Sequence, residues 1–210
     1  MVALKRRAAI MISGRGSNMA ALVAAARSPA FPVSIDLVLS NRPDAAGLAA
    51  ARCAGVRAEA IDHREFGQDR TAHESAIDAT LRAAHIEIVC LAGYMRLLTP
   101  FLVQAWQGHM LNIHPSLLPS FPGLKTHARA LRAGVKLHGC TVHIVTQEAD
   151  AGPILAQAAV PVLPGDSADD LARRVLHQEH SIYPAAVAAF ASGATGGLPA
   201  ADACLANPLD

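Results

Sequence analysis

Short apolar runs alternate with helix-patterned stretches over the first ninety or so residues, and this alternation constrains the chain more than any other feature. Strands separated by helical crossovers pair side by side and in parallel. Residues 8–12 are apolar throughout and read as a buried strand, ended by Ser13-Gly14-Arg15-Gly16 and followed by a helical pattern over residues 18–27. The pattern continues with a strand over 33–39, a helix over 45–54 closed by Gly55, a strand over 56–61, a longer helix over 69–84 and a strand over 86–91.

The second half departs from strict alternation. A helix over 100–107, a strand over 110–113, a proline loop and a helix over 126–133 lead into strands over 140–145 and 154–162. The link between those last strands, 148–153, is too short for a crossover, so an antiparallel return and a mixed sheet are expected. Asp166 and Ser167 offer a cap for a final helix running to about residue 191, where Gly193, Gly196, Gly197 and Pro199 end regular structure. The expectation is one α/β domain over 1–191, a mostly parallel mixed sheet with helices on both faces, and a tail over 192–210.

Composition narrows the partners. The chain has 210 residues, enough for a core without disulfide staples, and its 18 basic and 17 acidic residues give a net charge of +1. Neither nucleic acid nor an anionic membrane would be drawn to so balanced a surface. Cys53, Cys90, Cys140 and Cys204 form no CxxC pair and read as reduced structural thiols. No signal-peptide core follows Lys5-Arg6-Arg7, and the cytoplasm is the expected address.

Two stretches carry chemistry. Gly14-Arg15-Gly16-Ser17-Asn18 follows a strand and opens a helix, so its amides suit an anion. A dinucleotide fingerprint is incomplete there: the third glycine position holds Met19, and Ser40-Asn41 stand where an acidic residue would end the second strand. A lone phosphate fits better, and a tight turn with no ligand is the alternative. In Asn112-Ile113-His114-Pro115, an amide and an imidazole two residues apart share one face of a strand, and Pro115 keeps His114 extended. An amide N–H₂ stabilises a developing oxyanion and an imidazole moves protons near neutral pH. Asp150, in Glu148-Ala149-Asp150-Ala151-Gly152-Pro153, brings a carboxylate to another strand-to-loop junction. The ten histidines show no zinc spacing, so no metal is expected.

These motifs, with Ser116-Leu117-Leu118-Pro119, Phe121-Pro122-Gly123, His138-Gly139, Leu91-Ala92-Gly93-Tyr94-Met95-Arg96 and Gln178-Glu179-His180-Ser181-Ile182-Tyr183-Pro184, resemble the folate-dependent formyltransferases. Within them the likeness is to the phosphoribosylglycinamide formyltransferase group, over residues 7–190. The resemblance implies a Rossmann-like formyltransferase fold and transfer of a formyl group from the co-substrate 10-formyltetrahydrofolate to the amine of glycinamide ribonucleotide in purine synthesis. It implies Asn112, His114 and Asp150 as catalytic residues and Gly16, Ser17, Asn18 and Glu179 on the ribonucleotide. For folate it implies Arg70, Met95, Arg96, Leu97, Leu98, Asn112, His143, Thr146 and Asp150. It further implies a cis peptide at Leu118-Pro119 and a monomer or weak homodimer.

Three rivals share parts of this pattern. A formyltetrahydrofolate hydrolase uses a similar Asn, His and Asp set with water as acceptor, but adds an N-terminal regulatory domain. A methionyl-tRNA formyltransferase would bring a basic extension for its tRNA. A non-catalytic phosphate- or nucleotide-binding protein needs the glycine turn alone, without Asn112, His114 and Asp150 together.

Overall fold

Wherever a strand is buried on both faces its sequence reads as an unbroken apolar run, and β1 (Arg6–Ile12) is the case in point: Ala8 to Ile12 have no exposed surface. The computed structural model describes residues 4–193. These fall into two compact units, one ending at Asn112 and the other beginning at Ile113. The expected tail lies, from residue 194 onward, outside the described residues.

The first unit runs β1, α1 (Ser17–Ala26), β2 (Val33–Ser40), α2 (Ala46–Cys53), β3 (Arg57–Ala60), α3 (Arg70–Ala83), β4 (Ile88–Leu91), α4 (Pro100–Ala105) and the start of β5 (Met110–His114), which crosses into the second. Its strands are ordered β3-β2-β1-β4-β5, each pair parallel. Ile10, Met11 and Ile12, buried in β1, each contribute roughly 2 kcal/mol. The winding reverses at β1, with β2 on one side and β4 on the other, so the carboxyl ends of β1 and β4 mark a topological switch point, the place where open α/β sheets bind ligands.

Caps fix the helix starts. Asp69 accepts the Ala72 N–H at the head of α3, and buried Glu74 accepts both the N–H of Thr99, at 2.8 Å, and its hydroxyl, setting where α4 begins. One element lies outside the expected pattern: a single 3₁₀ turn, His63–Phe66, capped by Asp62. Four residues are too few to show a helical period. The Asp62 carboxyl is held down to about 2 by the Arg64 side chain and backbone N–H.

In the second unit α5 (Thr126–Ala133), β6 (Leu137–Ile144), β7 (Ile154–Pro161) and α6 (Ala168–Ala191) follow. β6 and β7 are antiparallel, from Leu137 opposite Pro161 to His143 opposite Ile154, so the pairing is mixed and mostly parallel across the described strands. β6 starts at Leu137 rather than at 140, because Gly139 broke the strand-like pattern. The structure shows why glycine stands there: a Cβ would lie 1.9 Å from the Ala158 carbonyl oxygen. Ser167 caps α6 in a reciprocal box with Asp170, while Asp166 pairs with Arg174 at 2.8 Å. The Leu118-Pro119 peptide is cis. Among the described residues no helix is long and apolar enough to cross a membrane.

Candidate active site

In the first unit, backbone builds a candidate anion site. Gly16 takes φ +74° as the N-cap of α1, with no side chain capping the helix, so the turn presents amides and the positive end of the helix dipole. α2 presses against this turn: the Gly47 N–H donates to the Gly14 carbonyl at 3.0 Å, and a Cβ on Gly47 would lie 2.5 Å from Ile12 Cδ1. Nothing in the local sequence marks Gly47, since close backbone approach between distant segments leaves no local signature. Ser17 is exposed, Gly16 half-buried and Asn18 buried.

The same unit carries the segment after β4. The Ser13 N–H donates to the Gly93 carbonyl at 3.1 Å, and the Ser13 hydroxyl accepts the Met95 N–H at 2.8 Å while donating to Asn41 Oδ1 at 2.6 Å. Ser13 thus ties the glycine turn to Met95–Leu98. Met95 and Leu97 are each 70% exposed, large apolar side chains left to solvent beyond the carboxyl end of β4. Arg96 and Leu98 are half-buried, and Arg70 donates to the Leu97 carbonyl, which brings it to the segment with which the resemblance groups it. Burial raises the Tyr94 phenol.

In the second unit, side chains build a separate cluster. His114, 6% exposed at the end of β5, holds Nδ1 3.4 Å from Asp150 Oδ1, and His143 Nε2 lies 3.8 Å from the same oxygen. His114 Nε2 faces the Phe121 carbonyl at 3.1 Å; a carbonyl only accepts, so Nε2 carries a proton. Both ring nitrogens therefore face oxygen acceptors. The other Asp150 oxygen accepts the Gly123 N–H at 2.8 Å. His143 donates from Nδ1 to the Ile144 carbonyl, and burial lowers its ring, against the raising effects of that bond and of Asp150.

The neighbouring links hold this cluster. Asp150 adopts φ +57°, a region that aspartate tolerates better than most residues. Two residues on, a Cβ at Gly152 would lie 1.8 Å from the Ile144 carbonyl, so the link closes tightly on the end of β6. Thr146 is half-buried there, and its hydroxyl donates to the Glu148 carbonyl at 3.0 Å. The proline loop hangs on two hydroxyls. Ser116 donates to the Ser120 carbonyl at 2.6 Å and shares its proton with Phe121 O; Thr141 donates to Ser116 O at 2.7 Å and accepts the Leu118 N–H at 3.0 Å.

The structure brings His114, Asp150 and His143 together, and Asn112 shares a strand face with His114, two residues away. Glu179 is 7% exposed on α6, not on a solvated face, and its charge adds to burial in raising the Cys140 thiol. The backbone groups of Phe121 and Gly123 escaped sequence reasoning; Phe121-Pro122-Gly123 marked a turn, but a main-chain group offers no residue type to notice. Among the described residues no cluster of His, Cys, Asp and Glu could hold a metal ion.

Residues 6–187 match the formyl transferase family. The chain is 49% identical over 189 residues to the human trifunctional purine biosynthetic protein adenosine-3, covering 90% of this chain and 19% of that protein. It therefore spans about a fifth of that relative. It is 45% identical to the phosphoribosylglycinamide formyltransferase of Escherichia coli (strain K12), covering 88% of this chain and 86% of that one. The crystal structure of phosphoribosylglycinamide formyltransferase from Brucella melitensis superposes with a TM-score of 0.85 at 53% identity, over 93% of this chain and 98% of that one.

Proposed function

Because the chain belongs to the formyl transferase family, we propose that it transfers a formyl group from 10-formyltetrahydrofolate to the amine of glycinamide ribonucleotide, a step of purine synthesis. The observation that carries this reading is the His114–Asp150 pair, closed by the loop backbone and set two residues beyond Asn112.

The amine nitrogen attacks the formyl carbon, and the carbonyl oxygen gathers charge. The Asn112 amide and the His114 N–H donate to that oxyanion; the formyl oxygen competes with the Phe121 carbonyl for the Nε2 proton. Asp150 holds the imidazole through Nδ1 and organises a water that carries the amine proton to the departing folate nitrogen. The bond from carbon to folate nitrogen then breaks, leaving formylated ribonucleotide and tetrahydrofolate. No covalent intermediate on the protein and no metal enters this scheme.

The binding assignments are proposals of the same standing. The ribonucleotide phosphate sits on Gly16, Ser17 and Asn18, with Glu179 toward its glycinamide end. Folate takes Arg70, Met95, Arg96, Leu97, Leu98, Asn112, His143, Thr146 and Asp150. Residues 1–191 act as one formyltransferase domain, in the cytoplasm, as a monomer or weak homodimer, without nucleic acid or membrane partners.

The test is whether purified protein releases deformylated folate only when glycinamide ribonucleotide is present. Dependence on the ribonucleotide supports transfer. Release at the same rate without it makes water the acceptor and the protein a hydrolase.

A further inference from the structure

The loop between β5 and α5 touches both members of the His114–Asp150 pair, and it does so with backbone alone. Phe121 O accepts from His114 Nε2 at 3.1 Å, and Gly123 N donates to Asp150 Oδ2 at 2.8 Å. The two groups lie within a stretch of three residues, so a small displacement of Phe121-Pro122-Gly123 lengthens both bonds at once. It also changes the 3.4 Å separation of imidazole and carboxylate.

Such a displacement has a built-in incentive. Phe121 adopts φ +54°, a left-handed conformation that a bulky residue keeps only where its neighbours impose it. Three side chains impose it here. Ser116 donates to the Ser120 and Phe121 carbonyls, and His138 meets the Phe121 ring edge-on with centroids 5.9 Å apart; both are buried parts of the second unit's core. The third is Arg129, half-buried on the first turn of α5. Its guanidinium donates to the Pro122 carbonyl and lies 5.7 Å from the Phe121 ring centroid, within cation–π range. Among the described residues no carboxylate pairs with Arg129, so this cation is committed to the loop rather than to an ion pair.

We propose that Arg129 is a positioning residue for formyl transfer: by clamping Phe121 and Pro122 it fixes the two backbone groups that hold His114 and Asp150 in register. The proposal rests on the catalytic reading of those two residues. In this role Arg129 acts through the loop backbone.

The experiment compares the full chain with Arg129→Met and Arg129→Lys. Methionine keeps helix propensity and an apolar stem while removing the donor and the charge, so α5 is retained. Expected for Arg129→Met is a kcat about ten- to a hundredfold lower, with KM for glycinamide ribonucleotide within about twofold, since loosening of catalytic geometry by an ångström costs rate on that scale. Arg129→Lys should recover part of the loss. In parallel, nitrogen-15 NMR of the histidine side chains, without ligands, should show the His114 Nε2 proton shifted or broadened in Arg129→Met and sharp in the unaltered chain. Unchanged kcat with an unchanged His114 signal overturns the proposal, and so does a fall in kcat matched by loss of the thermal transition. If the unaltered chain transfers no formyl group, the catalytic reading fails while the His114 signal still decides whether Arg129 positions the ring.

Discussion

The glycine turn of the first unit and the His114–Asp150 cluster of the second are built from different materials. The turn is main chain: Gly16 at φ +74°, Gly47 pressed against it, and an uncapped helix start. The cluster is side chain, with imidazole and carboxylate 3.4 Å apart and a backbone loop engaging the far atom of each. A backbone site tolerates changes of side chain but not of backbone space. A side-chain site fails when one functional atom is lost, whatever the space left behind. Substitution and pH should therefore separate the two regions.

The largest effect is expected at the cluster. His114→Ala and Asp150→Asn should each lower turnover by two to three orders of magnitude, about 3–4 kcal/mol of barrier, with the fold intact because His114 stands at the end of β5 and Asp150 in the link between β6 and β7. Calorimetric affinity for the ribonucleotide should stay within a few-fold. If affinity falls as far as turnover, the two regions do not divide the work as proposed.

Acid should also tell them apart. His138 is buried beside His127, and burial first, then the His127 charge, holds it down to about 4 from an ordinary 6.5. The folded chain prefers this imidazole neutral. Its contribution is complete above pH 6.5, declines as the unfolded chain takes up a proton, and is lost by about pH 4, at most about 3 kcal/mol. His138 packs on Phe121, so amide exchange should accelerate first in residues 116–123 and later in 14–18. Equal acceleration in both would refer the loss to the whole fold.

The smallest effect belongs to the turn. In Gly16→Ala the added Cβ meets Met19 Cε at 2.9 Å and Gly47 Cα at 3.2 Å, at a φ alanine disfavours. Affinity for the ribonucleotide should fall about tenfold, roughly 1–1.5 kcal/mol, with little change for a folate analogue. Equal loss of both affinities would mean that the added Cβ had damaged the fold, and an unchanged affinity for the ribonucleotide would remove the phosphate from this turn.

The same contrast explains what the residues disclosed. Asn112 and His114 were legible because two-residue spacing on a strand is a local property, and Asp150 because a carboxylate at a strand-to-loop junction stands out. Glu179 reads alone as a solvated helix residue; its burial depends on the helix face that packs, which α6 decides through Leu171, Val175, Ile182 and Tyr183. Gly139 hid the start of β6, since a residue required by a neighbouring strand's carbonyl looks in isolation like a strand breaker.

By itself the sequence determined the succession of strands and helices, the turn after β1, the cap at Ser167, and the antiparallel return of β7, all governed by periodicity and by groups within a few residues of one another. Tertiary structure alone decided which oxygen His114 Nε2 faces, that Gly123 rather than a side chain closes Asp150, that Gly47 sets the clearance over Gly14, and that Arg129 spends its charge on a loop. The physical reason is that every such contact uses main-chain atoms or exact clearances between segments distant in sequence, and main-chain atoms are the same in every residue.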